Sequence, residues 1–163
     1  LVFSDIPANT VYQWTEAEGS SVFLKPSGHA NGLAIGTDGH LLLAQHDGQV
    51  GRLGAERTVE PLAQSFEGNR LNSPNDLTVA DDGTIYFTDP PYGVEEENRE
   101  LDFSGVYRLD PDGSLTLLTK VFSRPNGIVL SPDESTLYVN DTEGDLIRAY
   151  DVTENGQIGR AHV

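Results

Sequence analysis

A short pattern recurs along the chain, and it leaves few folds open. Asn31-Gly32-Leu33, Asn75-Asp76-Leu77 and Asn126-Gly127-Ile128 each open an alternating apolar segment. Seven residues after each Asn stands an Asp: Asp38, Asp82 and Asp133. A second apolar segment then follows each time, as Leu41-Leu42-Leu43-Ala44-Gln45, Ile85-Tyr86-Phe87-Thr88-Asp89 and Leu137-Tyr138-Val139-Asn140-Asp141. Leu1-Val2-Phe3-Ser4-Asp5 matches that second segment, as a further copy without its first half. The Asn residues are spaced by 44 and 51 positions, and Leu1 and Leu41 by 40. A period of about 40–50 residues built from four short strands marks a β-propeller blade.

The remaining strands can be placed on the same pattern. Val11–Trp14, Val50–Leu53, Val106–Leu109 and Ile147–Tyr150 supply third strands; Val22–Leu24, Pro61–Ala63 and Leu115–Leu118 supply fourth strands. Turns such as Thr37-Asp38-Gly39, Asp81-Asp82-Gly83 and Pro111-Asp112-Gly113 separate them, as hairpins require. No segment sustains a 3.6-residue period, so few helices are expected. The fold class is all-β: a partial propeller of four-stranded antiparallel blades. It divides into a partial blade at 1–24, blades at 25–67 and 68–120, and an incomplete blade at 121–163. Three and a bit blades do not close a ring, so the chain reads as a piece of a larger propeller. An open blade edge invites self-association.

Charge narrows the partners. A formal net charge of −16 with no Lys/Arg cluster repels nucleic acid and anionic membrane surfaces. No apolar run reaches the length of a membrane span. With no cysteine there is neither a disulfide framework nor a thiolate site. His29 and His46 stand apart from any zinc-spaced pair, and no nucleophile-elbow or phosphate-loop motif is present. The compartment stays open.

Blade topology says which residues share a surface. The innermost strand leaves one rim and the second returns to it. Asn31, Asn75 and Asn126 should therefore face one mouth, ringed by Gln45-His46-Asp47, Asp89-Pro90-Pro91-Tyr92 and Asp141-Thr142-Glu143. Carboxamides converging from successive blades suit a hard cation. Asn before Gly or Asp is also a favoured turn dipeptide, so spacing alone leaves both readings open. The repeated Asp lies at the opposite rim and reads as a turn residue. Glu95-Glu96-Glu97 reads as a solvated loop.

Several stretches carry a resemblance: Phe3-Ser4-Asp5-Ile6-Pro7, Leu71-Asn72-Ser73-Pro74-Asn75-Asp76-Leu77, Ile85–Gly93, Phe103–Leu109 and Arg124-Pro125-Asn126-Gly127-Ile128. In these the chain resembles the gluconolactonase / senescence-marker-protein (regucalcin) family of six-bladed propellers. The resemblance implies a divalent metal on the axis, Ca²⁺ first, with Zn²⁺ and Mg²⁺ as alternatives. It maps two metal ligands to Asn75 and Asn126. The family's Glu ligand would precede Leu1, and its catalytic Asp would follow Val163, so no catalytic residue is assigned within this chain. The implied activity is hydrolysis of a small-molecule sugar lactone by the full-length parent, with the isolated chain expected to be inactive. Asn31, Asn72, Arg70, His46 and Tyr92 are the candidates for lining the substrate pocket. The rival readings are an organophosphate or ester hydrolase on the same fold, and a non-enzymatic binding propeller.

Overall fold

Period-2 alternation turns each repeat into a small antiparallel sheet, and a computed structural model describes residues 1–162 of the resulting array. The first blade has three strands in the order β1 (Val2–Asp5), β2 (Thr10–Thr15), β3 (Gly19–Leu24). The second is β4 (Ala30–Ile35), β5 (Leu41–Gln45), β6 (Gln49–Leu53), β7 (Val59–Ala63). A small hairpin, β8 (Ser65–Phe66) and β9 (Asn69–Arg70), leads to the third: β10 (Leu77–Val79), β11 (Ile85–Asp89), β12 (Ser104–Leu109), β13 (Leu115–Phe122). The fourth is β14 (Pro125–Leu130), β15 (Thr136–Asp141), β16 (Leu146–Val152), β17 (Ile158–His162). All pairings are antiparallel. The molecule is thus a partial propeller. The described helical residues form only two 3-10 turns, Ala55–Arg57 and Glu96–Asn98, and no helix is long and apolar enough to cross a membrane.

The core lies between blades rather than within them. Leu42, Ala44 and Val50 of the second blade meet Ile85, Phe87 and Tyr107 of the third. The alternate residues of the third blade, Tyr86 and Val106, face Ile128, Leu137 and Val139 of the fourth. A strand sandwiched this way is apolar on both faces, and every residue of β5 and β11 is buried. Phe87 stacks on Tyr107 at a ring-centroid distance of 5.2 Å. The end blades differ, with Phe3 and Trp14 on the first and Val129, Tyr138 and Ile147 on the fourth exposed.

Two expectations need correction. The last blade, read as incomplete, has all four strands. Its outermost strand, Ile-Gly-Arg-Ala-His, buries only Ile158 and Ala161 in part, so it carries little apolar signature. The boundary drawn between residues 67 and 68 falls inside the β8–β9 hairpin. Two-residue strands are too short to show a period; Glu67 and Gly68 turn between them with φ of 51° and 85°.

Candidate functional site

The mouth is assembled from the innermost strands. β4 and β14 both pack against β10, so the residues that open these strands come together. Backbone bonds cross between blades here: the Gly32 N–H donates to the Asn75 carbonyl at 2.8 Å. A Cβ on Gly32 would lie 2.7 Å from the Asp76 Cα, so only glycine permits this approach. Gly127 sits against Asn140, whose Oδ1 accepts the Gly127 N–H.

One residue at the end of each second strand ties down the chain entering that blade. Gln45 donates from Nε2 to the Ser27 carbonyl at 2.7 Å. Asp89 Oδ2 accepts the Asn72 N–H at 2.9 Å. Asp141 accepts the N–H groups of Ser123 and Arg124 at 2.8 and 2.9 Å. Each tie lies two to four residues before the Asn that opens the innermost strand.

The three Asn side chains form a continuous hydrogen-bonded row. Asn31 Nδ2 donates to Asn75 Oδ1 at 2.8 Å, and Asn75 Nδ2 donates to Asn126 Oδ1 at 2.8 Å. Asn126 Nδ2 then donates to Thr142 Oγ1 at 3.0 Å, and the Tyr92 hydroxyl reaches the same oxygen at 3.3 Å. His46 Nε2 lies 3.0 Å from Asn75 Oδ1. A carboxamide oxygen can only accept, so the imidazole donates from Nε2. The His46 and Tyr92 rings stand 6.2 Å apart. The structure therefore joins Asn31, His46, Asn75, Tyr92 and Asn126 in one network.

Asn72 and Arg70 are placed differently. Asn72 is buried, and its Nδ2 is committed to the carbonyls of Phe103 and Asp89. Arg70 Nη1 donates to the carbonyls of Leu71 and Asn72. Both brace the turn that delivers Asn75. Sequence reasoning did not single out Thr142, which closes the row, or Asp76. Asp76 Oδ1 accepts the Leu77 N–H at 3.0 Å, and its Oδ2 accepts the Ile128 N–H across the blade boundary at 3.2 Å. Burial pushes the Asp76 carboxyl above its ordinary value, against the pull of those two N–H groups. A cleft of about 550 Å³ opens outward of the network, where Arg124 lies 5.9 Å from the Tyr92 ring centroid; none of the three Asn lines it.

The donor set can be tested against a metal. Asn75 and Asn126 sit within one hydrogen bond of each other and carry the oxygen donors a hard divalent cation takes, each now accepting N–H groups that a bound ion would displace. Among the described residues no group of three or more His, Cys, Asp or Glu could hold a metal ion, so this chain offers carboxamides rather than a nitrogen- or sulfur-rich cage.

Successive four-stranded blades around a mouth of inner-strand side chains define a partial β-propeller. The family model for the SMP-30/gluconolactonase/LRE-like region matches residues 1–163, and the chain belongs to that family. It is 41% identical over 179 residues to a gluconolactonase of Zymomonas mobilis, covering 96% of this chain and 50% of that protein. A gluconolactonase structure from Xanthomonas campestris superposes with a TM-score of 0.90 at 37% identity, over 99% of this chain and 57% of that one. The calcium-binding protein regucalcin of Agrobacterium tumefaciens shares the fold, with a TM-score of 0.68 at 22% identity over 99% of this chain and 57% of that one. The chain thus spans about half the length of the Zymomonas protein.

Proposed function

We propose that this chain forms part of a lactone-hydrolysing propeller whose mouth binds a divalent cation, Ca²⁺ first, through Asn75 and Asn126. The supporting observation is the row of carboxamides brought to one mouth by successive inner strands, in a chain 41% identical to a gluconolactonase. When bound, the ion would supply Lewis-acid polarisation of the lactone carbonyl. Asn75 and Asn126 contribute neutral oxygens, and affinity for Ca²⁺ depends on the number of charged ligands, so these two alone hold it weakly. Asn31 and His46 both donate to Asn75 Oδ1 and fix the direction in which that amide faces. The Tyr92 hydroxyl and Thr142 form a polar wall suited to sugar hydroxyls. The general base is assigned to no residue of this chain; Asp76, the carboxylate beside Asn75, spends one bond on the Leu77 N–H and one on the Ile128 N–H in holding two blades together.

The test is acid release from glucono-δ-lactone by the chain completed with the remaining blades of the Zymomonas relative. Asn126→Ala is expected to lower the rate at least about a hundredfold, the scale of losing one group that stabilises the developing charge, here through the cation it would help hold. Hydrolysis that ignores both Asn75→Ala and Asn126→Ala overturns the reading.

A further inference from the structure

Asp89 occupies the end of β11 in the third blade and is fully buried. Its Oδ2 accepts the Asn72 N–H, while Asn72 returns a bond from Nδ2 to the Asp89 carbonyl at 3.2 Å. This double clasp sets the Asn72–Ser73 turn. The neighbouring Thr88 completes the hold: Asn75 N–H donates to the Thr88 carbonyl at 2.9 Å, and Thr88 Oγ1 donates to the Asn126 carbonyl at 2.7 Å. Residues 88 and 89 thus grip the chain on both sides of Pro74.

The corner around Asp89 is polar and incompletely matched. Asp89 Oδ1, Asn72 Oδ1 and the Tyr107 hydroxyl are all buried without a hydrogen-bond partner among the described residues. Gly105 is the ladder partner of Asp89, and a Cβ placed on it would fall 2.8 Å from the Tyr107 hydroxyl oxygen and 2.2 Å from its ring. The tyrosine therefore overhangs the Asp89 end of the ladder, in space that only a glycine leaves. Buried polar atoms left without partners are costly, so such a corner persists where it fixes geometry.

We propose that Asp89 is a positioning residue for the carboxamide mouth: by holding the Asn72–Ser73 turn it fixes Asn75, and through Asn75 the alignment of Asn31 and Asn126. This deepens the lactonase reading and rests on it for its catalytic meaning. The charged and titratable groups facing this corner are Arg70 at the end of β9, Arg99 in the β11–β12 loop and Tyr107 on β12, with Glu67 acting on Tyr107. Burial pushes the Asp89 carboxyl up to about 7, against the N–H groups of Asn72 and Ser73 and the charges of Arg70 and Arg99. A proton exchanged at Asp89 is therefore a usable reporter.

The experiment follows the Asn side-chain amide signals of the 163-residue chain by NMR, without metal, from pH 5 to pH 9. His46→Gln serves as the background, which takes the imidazole away from Asn75. The Asn31, Asn75 and Asn126 signals are expected to move together with one midpoint near 7. Asp89→Asn keeps an acceptor for the Asn72 N–H and should abolish that movement. Asp89→Ala removes the acceptor and should lower hydrogen-exchange protection of the Asn75 amide at least about tenfold, while the Val139 amide in the fourth blade is unchanged. Asn signals that titrate unaltered in Asp89→Asn overturn the proposal, a result that stands even where Asp89→Ala does not fold. Amides that track Asp89 support the positioning role whether or not this chain, with two neutral ligands, holds Ca²⁺; the lactonase reading fails separately, where hydrolysis by the completed chain ignores both Asn75→Ala and Asn126→Ala. Amides indifferent to Asp89 sink the positioning role alone.

Discussion

Each of the three four-stranded blades carries one repeated polar residue at either rim, and the two sets are used in opposite ways. At the far rim Asp38, Asp82 and Asp133 bond two residues ahead, to the N–H groups of His40, Thr84 and Ser135. At the mouth Asn31, Asn75 and Asn126 bond across sequence separations of 44 and 51 residues. A local bond closes its own hairpin and can be lost singly. A bond between blades ties the position of one repeat to the next, and only such bonds bring side chains from different repeats into one site. Repetition in the sequence is the same for both; the partner makes the difference.

The largest expected effect is at the centre of the mouth. Asn75→Ala strips a buried side chain that joins Asn31, His46 and Asn126, and should cost about 3 kcal/mol in urea unfolding, the range for breaking a buried network. A loss no greater than that of a far-rim aspartate would erase the contrast between the rims. Next comes Gly32→Ala, whose Cβ meets the Asp76 backbone; overpacking of this kind costs about 1–3 kcal/mol, read as a lowered urea midpoint at unchanged slope.

The smallest effect belongs to the far rim and appears with acid. Hydroxyls of Ser131 and Ser135 hold the Asp133 carboxyl down at about 2, and the Thr84 N–H lowers Asp82. A carboxyl whose folded pKa lies below its unfolded value stabilises fully above about pH 4, and that contribution fades as pH falls toward 2. Asp133→Asn should lower stability slightly above about pH 4, pH 7 included, and converge with the parent chain as pH falls toward 2, so that the acid limb flattens, as measured by urea midpoints across pH.

The sequence made the repeat, the strand order and the convergence of the three Asn legible, because all three follow from a fixed offset within a repeat of known topology. It did not reveal which bonds those amides make, since Asn31 and Asn75 find partners a full blade away. Asn72 and Arg70 look like pocket residues beside Asn75, yet they spend their donors on backbone carbonyls. Asp89 and Asp141 illustrate the same limit. Both end second strands and both tie down an incoming turn. Burial raises each carboxyl, but at Asp141 four backbone N–H groups outweigh it and bring the net value down, while at Asp89 burial wins. No local pattern separates them.

The row of amides also has a direction. Each Asn donates toward the fourth blade, Asn75 and Asn126 accept from the Asn before them, and the row ends on the Thr142 hydroxyl. Turning the Asn75 amide over would set N–H against N–H toward Asn31 and oxygen against oxygen toward Asn126. The three therefore reverse as a group or stay as they are, like coupled needles with a shared polarity. A visitor that draws on the oxygen of one Asn must reckon with the orientation of all three.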